Sequence, residues 1–198
     1  MSLLKNSWLI GFLNKVYLNN ISVYDYMEHV RDKVYYWCLD LMKLGKELEA
    51  IILLLATWNF ANFRYHMDTL DLKKFRKKLK QCNFKYFKNR RFETVNFDDV
   101  KLKRRIMGVY GILSKIKGIR YVGATKIMHL ECPSFFVMWD ARIRQYYHCG
   151  TSPTGYINFM KKMQGLYKRG KFKKWKGETI PRSIDLHNIH RHSIGFWN

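Results

Sequence analysis

Apolar residues recur at helical spacing along most of this chain, and proline, which interrupts helices, is nearly absent. Only Pro133, Pro153 and Pro181 occur among 198 residues, so little prevents long helices from forming. No stretch shows the strict alternation of apolar and polar residues, bounded by turn residues, that is typical of a strand. The sequence therefore predicts an all-α fold. The predicted helices cover about residues 3–18, 23–44, 46–66, 71–81, 98–115, 122–131, 140–147, 153–169 and 181–192.

Two of the segments between these helices are rich in basic residues. Residues 83–97 alternate aromatic with basic side chains, which predicts an extended loop or a short strand, and residues 168–178 form a basic loop punctuated by glycine. Hydrophobic residues make up 47% of the chain, which is enough to bury one core. We therefore expect residues 1–198 to form a single domain.

Positive charge is concentrated in two parts of the chain. The formal net charge is +22, yet residues 1–72 hold 7 basic and 8 acidic residues. Residues 73–105 carry a net charge of +11, residues 106–160 carry +4, and residues 161–198 carry +8. Generic solubilising charge would intersperse both signs. Two basic surfaces on a near-neutral body instead indicate a polyanionic partner, and we expect that partner to be nucleic acid.

Several other classes of protein are disfavoured. The longest apolar run, Ala50 to Ala56, is well short of the ~20 residues that a membrane span requires. Residues 1–5 lack the pattern of a signal peptide. The four cysteines lie far apart with no CxxC pair, which disfavours a cysteine-based metal site. We expect an intracellular protein with no membrane partner, in the cytoplasm or nucleoid of a prokaryote or in a nucleus.

Residues 112–147 hold the pattern that points most directly to chemistry. A helix leads into a turn between Gly118 and Gly123, a second helix is expected to open directly after Gly123, and it ends before Pro133. An apolar run then leads to a lone carboxylate, Asp140. Glycine allows close approach of the backbone, and amides at a helix start bind phosphate, with Lys117, Arg120 and Lys126 adding charge. The segment predicts a clamp for the DNA backbone.

This segment resembles the helix-hairpin-helix DNA glycosylases, most closely the 8-oxoguanine glycosylase branch. Tyr121-Val122-Gly123-Ala124-Thr125-Lys126 occupies the place of the hairpin, and Val137-Met138-Trp139-Asp140 that of the approach to the catalytic aspartate. The resemblance implies a two-lobed helical bundle, a hairpin and catalytic segment at about 104–147, a monomer, and damaged double-stranded DNA as substrate. We expect neither a cofactor nor a metal. The DNA-binding residues that it implies are Lys117, Gly118, Arg120, Tyr121, Gly123, Thr125 and Arg144.

The resemblance also assigns catalytic roles to two residues. Lys126 matches the lysine that attacks C1′ of the flipped nucleotide, and the resulting imine permits β-elimination, which gives lyase activity at abasic sites. Asp140 matches the carboxylate that stabilises the sugar cation. The damaged base that the resemblance implies is an oxidised purine such as 8-oxoguanine.

Each assignment has an alternative. Asp140 is also a suitable helix N-cap, and Lys126 is also a suitable phosphate contact. The chain would then be a monofunctional glycosylase for uracil or alkylated bases, or a non-catalytic helix-hairpin-helix protein that binds nucleic acid.

Two further groups of residues suggest binding sites. Aromatic rings stack on a flipped base and side-chain amides bind base edges, so one group of such residues is a candidate for a base pocket. The alternative is that these residues belong to the hydrophobic core. These candidates are Trp58, Asn59, Asn62, Phe63 and Trp139. Asp185, His187, His190 and His192 suggest a metal, but their spacing does not put all four on one helical face. We interpret that segment as a basic helix that faces DNA or solvent.

Overall fold

The computed structural model describes residues 23–194, and their side chains from residue 30 to residue 190. All regular secondary structure between residues 23 and 194 is helical, which confirms the all-α prediction. The predicted helix at 3–18 lies outside the described residues. The described helices are α1 Val23–Lys43, α2 Glu47–Trp58, α3 Phe60–Phe63, α4 Leu72–Gln81, α5 Lys85–Lys88, α6 Val100–Ser114, α7 Arg120–Glu131, α8 Ala141–Tyr146, α9 Pro153–Lys168 and α10 Ile180–Ile194.

Local capping explains where several of these helices begin. The side chains of Asp71, Asp99 and Ser152 each accept a hydrogen bond from a backbone N–H of the first turn of α4, α6 and α9. Such a side chain satisfies one of the unpaired donors at a helix start. These helices therefore lie within one or two residues of their predicted bounds.

The predicted helix at 46–66 is interrupted at Asn59. Helix α2 ends at Trp58, and Asn59 has φ −125° and ψ 22°, which is not helical. Its side-chain amide donates to the carbonyl oxygens of Gly118 and Ile119, at 3.0 and 3.2 Å. The interruption of the helix thus coincides with a hydrogen-bonded contact to residues about 60 positions later in the chain.

The turn between α6 and α7 differs from the prediction. Helix α7 opens at Arg120 rather than after Gly123. Gly118 and Arg120 both have positive φ, at 83° and 52°. Because glycine adopts this conformation without strain, Gly118 permits the reversal, while Arg120 is an uncommon residue there. Gly123 lies in the first turn of α7, and its N–H donates to the Ile119 carbonyl.

Residues 83–97 contain the short helix α5 and turns rather than a strand. Phe87 packs against Phe136 with 4.9 Å between ring centroids, and the Phe92 N–H donates to the Ser134 carbonyl. Phe84 and Phe97 are buried as well, whereas most of the basic residues between them are exposed. The alternation therefore divides aromatic core from charged surface without forming a sheet.

One hydrophobic core extends from Val34 to Ile184. The apolar segment Phe135–Trp139 is buried without regular secondary structure, and the Tyr156 hydroxyl donates to the Val137 carbonyl at 2.9 Å. This buried segment fixes the position at which Asp140 begins α8. No helix within residues 23–194 combines the length and apolar character needed to cross a membrane.

Candidate active site

A cavity brings together side chains from α1, α2, α7, α10 and the start of α8. Its volume is about 70 Å³, well below the roughly 300 Å³ at which small-molecule pockets commonly begin. It therefore holds a few atoms of a ligand rather than a whole nucleobase. The charged and aromatic residues that matter for its chemistry are Arg31, Trp58, Lys126, Trp139, Asp140 and Asp185.

Lys126 reaches the cavity from the second turn of α7 and is 95% buried. Its ammonium group donates to the carbonyl oxygen of Trp58, the last residue of α2, and lies 5.9 Å from the centroid of the Trp58 ring. A carbonyl at a helix C-terminus carries partial negative charge and attracts a cation. The fold thus accommodates a buried amine beside an aromatic wall.

Asp140 is the N-cap of α8 and is partly exposed. Its Oδ1 accepts a hydrogen bond of 2.7 Å from the Ile143 N–H. The capping role is therefore present, and the carboxylate that performs it also lines the cavity. Lys126 and Asp140, which lie in different elements, meet in one site.

Two tryptophans form fixed walls of this cavity. The indole of Trp58 donates to the Arg31 carbonyl at 3.0 Å and stacks on Tyr35, with 5.6 Å between centroids. The indole of Trp139 donates to the Tyr121 carbonyl at 3.2 Å. Because both rings have satisfied N–H groups, they are held in place before any ligand binds.

Asp185 also lines this cavity, and Arg182 lies behind it, a placement that sequence reasoning missed. Arg182 is fully buried and forms ion pairs with both Asp185 and Asp32. Its guanidinium also lies 5.0 Å from the Trp58 ring centroid. Burial raises the pKa of the Asp185 carboxyl, while Arg182 and then Lys126 act in the opposite direction. The sequence does contain a signal for this ion pair, because the i, i+3 spacing of Arg182 and Asp185 puts both side chains on one helical face.

Three of the predicted base-pocket residues do not line the cavity. Asn59 is buried and holds the turn before α7, as described above. Phe63 is core, with 1% of its surface exposed, and Asn62 is half-buried outside the lining. Because α2 ends at Trp58, the residues after it follow a different direction. Of the five candidates, Trp58 and Trp139 face the site.

The predicted DNA-binding residues divide by exposure. Lys117 and Arg120 are exposed on the turn before α7, whereas Gly118 is buried within it. A Cβ at Gly118 would lie 2.7 Å from Cβ of His66, so the turn packs closely on the segment after α3. The two exposed cations are available to phosphate.

Gly123 and Thr125 are buried, so these two residues do not lie on the surface beside Lys117 and Arg120. The Gly123 N–H is used within the turn, and the Thr125 hydroxyl donates to the Val122 carbonyl at 2.9 Å. Arg144 lies over the half-buried Tyr121 ring at 5.6 Å and donates to the Cys149 carbonyl at 2.7 Å. The contact between Arg144 and Tyr121 packs α8 against the start of α7.

The two basic segments meet at one carboxylate. Asp98 forms ion pairs with Lys103, at 3.3 Å, and with Lys161, at 2.6 Å. Nearby, the Tyr86 ring lies under both Arg90 and Arg105, at 4.3 and 5.2 Å. Lys103 of the first basic segment therefore lies beside Lys161 of the second, and we call this region around Asp98 the joined basic surface.

His187 and His190 do not form a metal site with Asp185. His187 contacts the backbone of Lys173 at 3.1 Å, and the His190 ring stacks on Trp175. The His192 side chain lies outside the described ones. Within the part of the chain that the structure describes, no group of three or more His, Cys, Asp or Glu side chains is arranged to hold a metal ion.

Comparisons of the chain with family models, with curated proteins and with solved structures gave no match.

Proposed function

We propose that this protein is a DNA glycosylase with lyase activity at abasic sites, built on a two-lobed helix-hairpin-helix fold and acting as a monomer. The observation that carries this proposal is that Lys126 and Asp140 line one cavity between two fixed tryptophans. The hairpin resemblance assigns these two residues the roles of nucleophile and electrostatic partner. The joined basic surface supports duplex DNA as the partner, and an oxidised purine is the lesion class proposed.

The proposed reaction has four steps, which begin once the Lys126 ammonium has lost a proton to solvent. The neutral Lys126 amine attacks C1′ of the flipped nucleotide, the C1′–N bond breaks, and the base leaves with a proton from the site or from water. The sugar ring then opens to an imine between Lys126 and C1′. Loss of a proton from C2′ and departure of the 3′ phosphate cut the strand, and water finally hydrolyses the imine. Asp140 lowers the activation barrier of the first step because its negative charge stabilises the cation that develops on the sugar.

The size of the cavity bears on what enters it. A cavity of about 70 Å³ accepts C1′ and its neighbours, whereas a whole base requires side chains at the opening to move. Arg142 is exposed and Arg31 is half-buried at this site. Their guanidinium groups suit the phosphates on either side of the flipped nucleotide.

The test is covalent trapping. The full chain is incubated with duplexes that each contain one defined lesion, or a preformed abasic site, in the presence of borohydride, which reduces an imine to a stable amine. We expect the parent to cross-link to an oxidised-purine duplex and to the abasic duplex. Lys126→Gln should lose the cross-link, and Asp140→Asn should lower the excision rate by about 10²-fold or more.

Lys43→Gln is the control, because Lys43 is exposed in the last turn of α1 and forms an ion pair with the exposed Asp40, away from the cavity. This variant should cross-link at the parental rate. If Lys126→Gln still cross-links normally, the assignment of the nucleophile is wrong. Base excision by the parent without any cross-link would make the enzyme monofunctional, and DNA binding without excision of any base would make it a non-catalytic binding protein.

A further inference from the structure

We propose that Asp185 is a second catalytic carboxylate of this site, which acts together with Asp140 to stabilise the positive charge on the sugar as the base leaves. This inference rests on the proposed function and names a residue that the helix-hairpin-helix resemblance does not supply. Asp185 lies on α10, far in sequence from the hairpin, and lines the same cavity as Lys126 and Asp140.

The position of Asp185 is fixed from behind. Its Oδ2 accepts from Nη1 of Arg182, one turn earlier on α10, and Nη2 of Arg182 donates to Asp32 on α1. The guanidinium also lies beside two aromatic rings, 4.7 Å from the centroid of Tyr35 and 5.0 Å from that of Trp58. A carboxylate anchored in this way is preorganised and does not need to reorient during a reaction.

The charges of this cluster do not cancel. One buried guanidinium requires one carboxylate for neutrality, but Arg182 has two, Asp32 and Asp185. With Asp140 and Lys126 included, this inner group has three carboxylates and two cations, and Arg31 and Arg142, which also line the cavity, bring the number of cations to four. Arg31 and Arg142 are less buried than Arg182, and we expect them to pair with phosphates when DNA is bound, which leaves the two carboxylates of the cavity with Lys126 and Arg182.

A carboxylate in a buried site is costly unless a cation is present. Arg182 and Lys126 are such cations in the free protein, and their charges act favourably on Asp185, whereas the Asp140 carboxylate repels the Asp185 carboxylate. When Lys126 reacts as a neutral amine, both carboxylates lose this partner. The developing sugar cation then replaces the ammonium, so the site stabilises the transition state more than the neutral ground state.

The experiment compares two abasic analogues in otherwise identical duplexes. In one, a pyrrolidine carries its protonated ring nitrogen at the position of C1′, and in the other a neutral tetrahydrofuran has the same shape. Neither analogue forms an imine, so equilibrium binding of the full chain is measured for both. We expect the parent to prefer the cationic analogue by at least about 10-fold, and Asp185→Asn to reduce that preference by roughly 10-fold.

The ratio of the two affinities separates an electrostatic role from a purely structural one, because a misfolded or loosened site weakens both complexes together. Asp40→Asn removes an exposed carboxylate of α1 as a matched control and should keep the parental ratio. An unchanged ratio in Asp185→Asn would overturn the inference. If this variant does not fold, Asp140→Asn decides: a residual preference for the cationic analogue supports Asp185, and complete loss assigns the whole effect to Asp140.

Failure of this inference is distinguishable from failure of the proposed function. A parent that is trapped by borohydride on the abasic duplex, with an unchanged ratio in Asp185→Asn, would leave the function standing and remove only Asp185. A parent that is not trapped on any duplex, and that binds both analogues no better than undamaged duplex, would overturn both.

Discussion

Two titratable side chains near the end of α7, His129 and Glu131, are buried two residues apart, and burial moves their pKa values in opposite directions. The His129 ring lies between the Tyr35 hydroxyl, 2.8 Å from Nε2, and the Phe136 carbonyl, 2.6 Å from Nδ1. A neutral imidazole with its proton on Nδ1 satisfies both partners. Desolvation lowers the pKa of His129 to about 3 and raises that of Glu131 to about 7.

For His129 we expect a loss of stability in acid. Between pH 6.5 and about 3 the unfolded chain binds a proton at this residue that the folded chain does not, so the free energy of unfolding falls as the pH falls. The contribution is roughly 3 kcal/mol between pH 7 and pH 4. Urea unfolding at a series of pH values should give a flatter profile for His129→Gln. His148→Asn alters an exposed histidine of positive φ and should keep the parental slope.

For Glu131 the sign is reversed. Above pH 4.5 the unfolded chain releases a proton that the folded chain retains up to about pH 7, so the free energy of unfolding falls as the pH rises through this window. Desolvation is the main cause, and nearby Glu47 adds to it. Glu131→Gln should be more stable than the parent at pH 8 by roughly 2–3 kcal/mol and equally stable at pH 4.

Glu49→Gln provides the comparison for Glu131→Gln, because Glu49 is exposed on α2. Its effect should stay within about 0.5 kcal/mol at both pH values. Equal stability of Glu131→Gln and the parent at pH 8 would mean that the Glu131 carboxylate is well solvated.

At the scale of elements, the packing of α7 on α2 depends on the absence of a side chain at Gly123. A Cβ there would lie 2.8 Å from Nδ2 of Asn59 and 3.1 Å from Cδ2 of Leu55. Gly123→Ala should therefore destabilise the fold by about 1–3 kcal/mol, as measured by the midpoint of urea unfolding. Gly108→Ala on α6 has open space around the new methyl group and should be neutral or stabilising by up to about 1 kcal/mol. Equal effects at the two positions would contradict this packing.

The same elements show which parts of the fold were predictable from sequence. The bounds of α6 and α9 follow from apolar periodicity and from caps at Asp99 and Ser152, which are local signals. The break at Asn59 was not predictable, because it involves a contact with Gly118 and Ile119. The start of α7 was also missed, because its positive-φ residue is Arg120 rather than a second glycine.

The residues of the candidate site also divide into those that the sequence predicts and those that it does not. Lys126 and Asp140 were identified because the resemblance covers a continuous segment around both. The sequence indicates Asp185 only as a possible metal ligand. Its partners Arg182, Asp32 and Lys126 come together through the packing of α10 against α1 and α7, which the sequence does not reveal. A role that depends on tertiary contacts between distant helices has only a weak signal in a single sequence.

At the scale of the whole molecule, the charge distribution predicts binding that depends strongly on salt. Each phosphate that the protein neutralises releases condensed counterions, so the logarithm of affinity falls with the logarithm of salt concentration, at about 0.9 per phosphate. With six or more phosphate contacts, affinity for duplex DNA should fall by roughly 10³-fold between 50 and 200 mM salt. A flat response would contradict the expectation that the basic segments face DNA.

The last prediction locates this effect in one helix. Lys77 and Lys80 are exposed on α4, within the segment of net charge +11. If both contact phosphate, replacing both by Ala should make the salt slope shallower by about 1.8 and weaken binding to all duplex sequences equally. Lys33→Ala with Lys43→Ala removes the same charge from α1, in the near-neutral part of the chain. That control should keep the parental salt slope, because a DNA-binding surface that includes α4 does not include these two lysines. If DNA were attracted only by the net charge of the protein, the two double variants would have the same slope.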